Sequence, residues 1–127
     1  MATRTITTRL AIEGETEFKR SMSSANSELK TLRSEMSLAD AEFKGQANTM
    51  EALTKKNELL RRAQEQQTEK VKALEQAVKD AAEAYGENDK RTDNYRQQLN
   101  RAKKELIDMN DALDDNEKYL DEARKSA

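Results

Sequence analysis

The chain of 127 residues contains no cysteine, no histidine, no proline and no tryptophan. Without cysteine it has no disulfide, thiol nucleophile or thiolate metal site, and without histidine it lacks the commonest general base and metal ligand. Three glycines and no proline argue against a fold rich in loops or sheets. These absences leave either disorder or long helices, and they argue against a compact enzyme.

Large apolar side chains are also scarce, since aromatic residues make up 4 % and all hydrophobic residues 35 % of the chain. Charged residues make up 38 %, against about 25 % in an ordinary globular domain. The net charge is only −2, and basic and acidic residues are nearly balanced in each third of the chain. This balance predicts no direct nucleic-acid binding and no contact of this segment with a membrane. No apolar run has the length of a membrane span.

Residues 1–14 differ from the rest of the chain and are predicted to form a separate amino-terminal arm. Ile6, Thr8, Leu10 and Ile12 alternate with other residues over positions 5–12, which is the period of a half-buried strand. The sequence contains no second strand candidate. A lone strand would therefore pair with another copy or another protein, because its backbone groups need partners.

A heptad pattern dominates residues 15–127 and predicts an all-α fold of long helices in an elongated coiled coil. Large apolar residues recur at alternating spacings of four and three, and a single phase continues from Phe18 to Ala123. With Met22 as an a position, the predicted oligomer seam consists of apolar a and d residues: Phe18, Met22, Leu29, Leu32, Met36, Phe43, Met50, Leu53, Leu60, Val71, Leu74, Val78, Leu99, Leu106, Met109, Leu113 and Leu120.

Two glycines mark possible breaks in this coiled-coil region. Gly45 is followed by Asn48 and Glu51, a capping-box spacing that predicts a helix start at Asn48. Gly86 is followed by Asn88 and Asp89, either of which can cap the next helix. The heptad phase is nevertheless unchanged across both glycines. A chain that folds back has no need to keep the phase, so the unchanged phase favours a continuous helix.

The polar seam residues Asn57, Gln64 and Gln67 bear on the choice between a rod and a hairpin. In a parallel homo-oligomer each amide meets its own copy and fixes the register. In a hairpin folded at Gly86 they are expected to lie opposite Leu120, Leu113 and Met109. This favours a parallel homo-oligomer, and the many alanines at e and g positions, which widen the apolar stripe, favour three or more strands. A continuous helix would be about 165 Å long. The alternative is a helical hairpin that folds back near Gly86, with arms of nearly equal length.

No residue pattern indicates catalysis, a cofactor or a metal. The acidic stretch that begins at Asp108 lacks the glycine that an EF-hand loop needs, and Leu106, Leu113 and Leu120 keep helical spacing through it. A serine nucleophile needs an adjacent base, and no such pair stands out from the surface charge. We therefore expect no enzymatic activity, no cofactor and no metal site.

Three stretches carry a resemblance to a known family: TITTRLAIEGETEFKRSMSSANSELKTLRSEM, DAEFKGQANTMEALTKKNELL and AYGENDKRTDNYRQQLNRAKKEL. In this order they resemble the amino-terminal region of tail tape measure proteins from long-tailed phages and prophages of Gram-positive bacteria. The similarity includes Gly14 with Phe18 after it, the block around Gly45 and the block from Tyr85 to Asn88. Asp89 departs from the hydroxyl residue expected there, although both types cap helices.

The resemblance implies a structural protein that takes part in virion assembly. Such a protein occupies the lumen of the tail tube in several copies and sets tail length, after assembly in the host cytoplasm. Its implied partners are itself, the tail tube and other tail assembly proteins, and the chain is expected to be an amino-terminal fragment of a longer protein. The alternative function is a generic coiled-coil adaptor or scaffold that binds a partner helix.

Overall fold

Three helices connected by two short turns make up the protein. The computed structural model describes residues 2–126, with side chains for residues 14–125. Helix α1 is Ala2–Glu42, α2 is Met50–Tyr85 and α3 is Lys90–Ser126. Residues 2–126 contain no strand. The all-α class predicted from the heptad pattern is therefore confirmed.

The strand predicted over residues 5–12 is not confirmed, because the backbone of this segment is helical and belongs to α1. The chain offers no second strand that could pair with it, whereas a helix satisfies backbone hydrogen bonds within the segment itself. The side chains that suggested the alternation lie outside the described residues.

The first turn, residues 43–49, ends at a side chain that caps α2. The cap is Thr49, one residue later than Asn48, which the sequence spacing had suggested. Thr49 Oγ1 accepts from the backbone N–H of Ala52 at 3.3 Å and donates to Gln46 O at 2.9 Å. These bonds give partners to backbone groups at the start of α2.

The second turn, residues 86–89, is tighter. Gly86 has φ 103° and ψ 152°, a conformation that essentially only glycine adopts. Asp89 Oδ1 accepts from the backbone N–H of Arg91 at 2.9 Å, which is the hydrogen bond of a helix N-cap. Thr92, fully buried, donates its hydroxyl to Gly86 O at 2.8 Å. These bonds fix the direction in which α3 leaves the turn.

Both turns reverse the chain, so the predicted continuous rod is not what the structure shows. Helix α2 packs against α1 and against α3. Arg62 pairs with Glu35 of α1, and Arg61 pairs with Glu117 of α3. The fold-back near Gly86 was the alternative prediction, and a second fold-back lies at residues 43–49. A folded-back chain buries its apolar stripe without needing another copy, because each helix supplies a neighbour for the next.

The antiparallel register also corrects the argument from the polar seam residues. Asn57 lies beside Asn116, not Leu120, and the Asn116 amide donates to Asn57 Oδ1 at 3.4 Å. Gln64 donates to Asn110 Oδ1 at 2.6 Å. The expected register was wrong by about one helical turn for Asn57. The folded chain therefore gives Asn57 and Gln64 amide partners, and Gln67 donates to Ala102 O and Glu105 Oε2, so the objection to a hairpin does not hold.

The interior consists of two apolar clusters along the helix axes. One contains Leu29, Leu32 and Leu59, with Met109 packed against it. The other, nearer the second turn, contains Leu74 and Leu99, with residues of α1 packed against it. All three helices contribute to the interior, and α1 and α3 run in the same direction because both are antiparallel to α2.

Candidate functional site

The predicted oligomer seam lies inside the single chain. Its residues are buried or half-buried, with one exception. Met50, the first residue of α2, is 38 % exposed. The buried members are Leu29, Leu32, Leu53, Leu60, Val71, Leu74, Leu99, Leu113 and Leu120, and the half-buried ones are Phe18, Met22, Met36, Phe43, Val78, Leu106 and Met109. In this folded form the seam packs α1, α2 and α3 against one another.

Helix α2 buries a wider stripe than the a and d positions predict. Leu59 has no exposed surface although it falls at a c position of the heptad count, and Ala63 and Ala77 are buried at g positions. The reason is that α2 contacts a helix on each side, so two stripes on its surface are covered. The count assumed one seam and therefore missed Leu59.

Polar groups interrupt the apolar packing between α2 and α3. Gln67 is fully buried and donates through Nε2 to Ala102 O at 2.9 Å and to Glu105 Oε2 at 3.3 Å. Its Oε1 has no hydrogen-bond partner among the described residues. Asn116, 3 % exposed, donates to Leu53 O at 2.9 Å. Asn116 was recognisable at a d position, but its pairing with Asn57 depends on the antiparallel register.

The most organised group of side chains lies beside the second turn, and we call it the tyrosine cluster: Glu15, Tyr85, Asp89, Arg91 and Tyr95. The Tyr85 hydroxyl donates to Glu15 Oε1 at 2.9 Å, which links α2 to α1. The Arg91 guanidinium lies 3.5 Å from the centroid of the Tyr85 ring and also pairs with Asp89. The tyrosines near Gly86 therefore hold the end of the bundle together.

The electrostatics of the tyrosine cluster follow from these contacts. The hydrogen bond to Glu15 raises the pKa of Tyr85 above its ordinary 10.0, and burial raises it further. Burial raises the pKa of Tyr95, and the nearby negative charge of Glu15 adds to the effect. Hydrogen bonds from Arg91 lower the pKa of Asp89. At neutral pH both tyrosines are protonated, Tyr85 donates its hydroxyl proton to Glu15, and Asp89 is charged.

The cleft next to the tyrosine cluster is too small for an organic ligand. Its volume is about 20 Å³, which is room for about one water molecule. Phe18 and Tyr95 form part of its lining and contact each other edge to face, with ring centroids 5.1 Å apart. The cluster is therefore a packing and hydrogen-bonding centre that joins all three helices.

Two larger clefts are open grooves between helices. One, of about 350 Å³, separates α1 from α3 and is lined mainly by polar side chains, including Asn26, Asn94 and Gln98. The other, of about 210 Å³, lies beside the first turn and includes Met36 and Phe43. Within the described part of the chain, no group of three or more acidic side chains could hold a metal ion. No helix there is long and apolar enough to cross a membrane.

The fold and these contacts define an antiparallel three-helix bundle whose distinctive side chains serve packing, register and surface charge. Comparisons with known protein families, with curated proteins and with solved structures give no match.

Proposed function

We propose that the chain is a structural phage tail protein, corresponding to the amino-terminal region of a tape measure protein. In this role it sets tail length and occupies the lumen of the tail tube, after assembly in the host cytoplasm. The proposal is supported by the three resembling stretches, which follow one another in order and include both turns of the structure. Long helices also suit a ruler, since a helix has a fixed rise of about 1.5 Å per residue.

The observation that carries the proposal is the single heptad phase shared by helices that are separated by two turns. Phe18 and Tyr95 are both d residues, and they contact each other although α2 lies between them in sequence. Met22 and Leu99 are both a residues, and they belong to the same apolar cluster. One stripe can therefore line the folded bundle and can equally line a continuous rod.

In the proposed role the bundle opens into this rod, which associates with other copies in parallel. The seam residues exchange their contacts within the chain for contacts between chains, and Asn57, Gln64 and Gln67 form amide layers that fix the register. Opening requires the two turns to become helical, and each glycine opposes that by about 1 kcal/mol relative to alanine. The longest dimension would change from about 60 Å, the length of α1, to about 165 Å.

Deletion of whole heptads in the parent gene tests the proposed role. Removal of two heptads from α2 should shorten the assembled tail by about 21 Å, because fourteen helical residues are lost. The matched control replaces Glu65 and Lys72 with glutamine. Both residues are exposed and occupy b positions of the heptad, so tail length should be unchanged. Tails of unchanged length after the deletion would overturn the proposal.

Cross-linking distinguishes the folded bundle from the rod. Cysteines replacing Glu35 and Arg62, whose side chains are 3.5 Å apart, should be joined within one chain by a short bifunctional maleimide. Along a continuous helix the same positions are about 40 Å apart and would not be joined. A matched control places cysteines at Lys19 and Glu117, which lie toward opposite ends of the bundle. If the chain opens into the rod, gel electrophoresis should show that the cross-link no longer forms, and small-angle scattering should show that the particle lengthens.

The second candidate is a coiled-coil adaptor or scaffold that binds a partner helix. It is favoured by one observation, that the apolar seam is already buried within a single chain. A protein of this kind would stay folded and use its outer surface. Unchanged tail length together with lost binding of another protein would support the adaptor.

A further inference from the structure

The charges on α3 are divided between its two halves. Residues 90–104 contain six basic side chains and one acidic side chain, which gives a net charge of +5. Residues 105–125 contain eight acidic and three basic side chains, which gives −5. The helix as a whole is therefore neutral but strongly polarised along its length.

The stability of α3 does not account for this polarity. The helix dipole favours acidic residues near the start of a helix and basic residues near its end, which is the reverse of the arrangement over most of α3. Only Asp93 in the first turn and Arg124 and Lys125 in the last turn follow the rule. The division of charge therefore lowers the stability of an isolated α3.

The rest of the chain does not neutralise the two halves. Glu117 pairs with Arg61 of α2, and Lys104 pairs with Asp108 within α3. Lys103, Asp111 and Asp114 are exposed and take part in no ion pair within residues 14–125. These charges are therefore available to a partner outside the chain.

An exposed apolar residue lies where the two charged halves meet. Ile107 is 59 % exposed, near the midpoint of α3. It shares the outer face of the helix with Lys104, Asp111 and Asp114, at spacings of three, four and seven residues. The buried residues Leu99 and Leu113 lie on the other face, toward the interior. Lys103, four residues before Ile107, is exposed on the same face. We call residues 103–114 of this outer face the α3 outer face.

We propose that the α3 outer face is a contact between two copies of this chain, which meet antiparallel about a twofold axis close to Ile107. This arrangement places Ile107 against Ile107 of the second copy. It places Lys103 and Lys104 at the level of Asp111 of the second copy, with Asp114 of that copy one turn further along. The same pairs occur twice, as twofold symmetry requires.

The charge pattern selects a second copy in this orientation. A surface that is basic in one half and acidic in the other is complementary to itself only when it is reversed. A parallel copy would put like charges side by side. A uniformly acidic or basic partner would be attracted by one half and repelled by the other. The contact does not use the buried seam, so it is independent of the proposed function.

The expected association is weak and depends on salt. Exposed ion pairs contribute little individually, and they are screened beyond about 10 Å at 0.1 M salt. We expect the dimer dissociation constant to increase by about tenfold when sodium chloride is raised from about 50 mM to about 500 mM. Analytical ultracentrifugation over a range of protein concentrations measures this change.

Charge reversal tests the pairing directly. Variant K103E/K104E and variant D111K/D114K should each lose self-association at least tenfold, because α3 then carries mostly one sign on its outer face. An equimolar mixture of the two variants should form a heterodimer. The fourfold variant that combines them should recover the homodimer. The matched control, K19E/K30E on α1, should behave as the unmodified chain does.

A disulfide experiment tests the position of the twofold axis. The chain has no cysteine, so I107C introduces a single thiol, which should form a linked dimer rapidly on mild oxidation. The matched control is L38C on α1, where Leu38 is 60 % exposed. Circular dichroism of every variant verifies that the helices are intact.

The proposal would be overturned by a chain that stays monomeric at millimolar concentration in low salt, by reversal variants that fail to complement each other, or by equal dimer formation by I107C and L38C. Association into trimers that the α3 reversals do not affect would also overturn it. That outcome would indicate pairing through the seam.

Discussion

Phe18 of α1 and Tyr95 of α3 contact each other edge to face, with ring centroids 5.1 Å apart. They are eleven heptads apart in sequence and occupy the same heptad position. This contact joins two helices that are not adjacent in the chain. It is therefore a direct sign that the chain has folded back twice.

Loss of the Phe18–Tyr95 contact should destabilise the bundle. We expect Phe18→Ala to lower the free energy of unfolding by about 2 kcal/mol, since this half-buried ring packs against the second apolar cluster. A double-mutant cycle with Tyr95→Ala should give a coupling energy of about 1 kcal/mol. Urea unfolding followed by circular dichroism measures both values.

The exposed Tyr119 provides the control for this cycle, because it is 56 % exposed at the other end of α3. Phe18→Ala combined with Tyr119→Ala should be additive within about 0.5 kcal/mol. A coupling for Phe18 and Tyr95 no larger than this would contradict the observed packing.

The two glycines Gly86 and Gly14 should respond to alanine in opposite directions. Gly86→Ala should lower the free energy of unfolding by about 1–2 kcal/mol, because alanine is strained at φ 103°. Gly14→Ala should leave it unchanged or raise it by up to about 1 kcal/mol, since Gly14 lies within a helix. Thermal and urea unfolding of the two variants and the unmodified chain measure these changes in the free energy of unfolding.

Space around the two sites supports this difference. A Cβ at Gly14 would lie 3.2 Å from Asp80 Oδ2, at the end of a side chain that can move. A Cβ at Gly86 would meet no atom within 4 Å, so its cost arises from the backbone alone. Equal effects of the two substitutions would show that the second turn does not have this conformation.

Replacement of the buried Gln67 by leucine should stabilise the protein. Gln67 Oε1 has no hydrogen-bond partner among the described residues, and Gln67→Leu removes its desolvation penalty. We expect the free energy of unfolding to increase by about 1 kcal/mol. Asn116→Leu is the matched comparison. Both substitutions remove an amide donor, but among the described residues only Gln67 has a buried oxygen without a partner, so Asn116→Leu should decrease the free energy of unfolding. A loss of stability in both variants would show that the unpartnered Oε1 of Gln67 does not lower the free energy of unfolding.

Alkaline pH should destabilise the tyrosine cluster. Because the pKa of Tyr85 is raised in the folded chain, its contribution is fully present below about pH 10, the ordinary tyrosine value, and is lost as the pH rises through the folded pKa. The raised pKa of Tyr95 acts in the same direction. Tyr85→Phe should therefore lose less stability than the unmodified chain between about pH 9 and about pH 11.

The comparison isolates Tyr85 because the rest of the chain is identical in both proteins. Identical pH profiles for Tyr85→Phe and the unmodified chain would show that the hydrogen bond to Glu15 does not contribute to folding.

Heptad spacing predicted which residues are apolar neighbours, but it could not say whether the neighbours belong to the same chain. Leu29, Leu74 and Leu99 are buried in the folded bundle, and the spacing alone would place them equally in a rod. The direction of the chain depends on the turns, and Gly86 was visible as a possible break. Helix–helix contacts are similar in both arrangements, so periodicity does not distinguish them.

The tyrosine cluster could not be predicted from the sequence, for a related reason. Glu15 and Tyr85 are far apart in the chain, and their hydrogen bond exists only after α1 and α2 pack antiparallel. Leu59 was missed because its burial requires a helix on each side of α2. Each of these features depends on the relative placement of helices, which a single stripe of apolar residues does not determine.

The odd number of helices has a mechanical consequence. Gly14, in the first half of α1, lies beside Tyr85 at the end of α2. Leu120, the last buried residue of α3, lies instead toward the start of α2. The chain therefore enters the bundle at one pole and leaves it at the other. Tension applied through the two ends would load the helix contacts in shear along their whole length, whereas a two-helix hairpin pulled from its ends would separate one contact at a time.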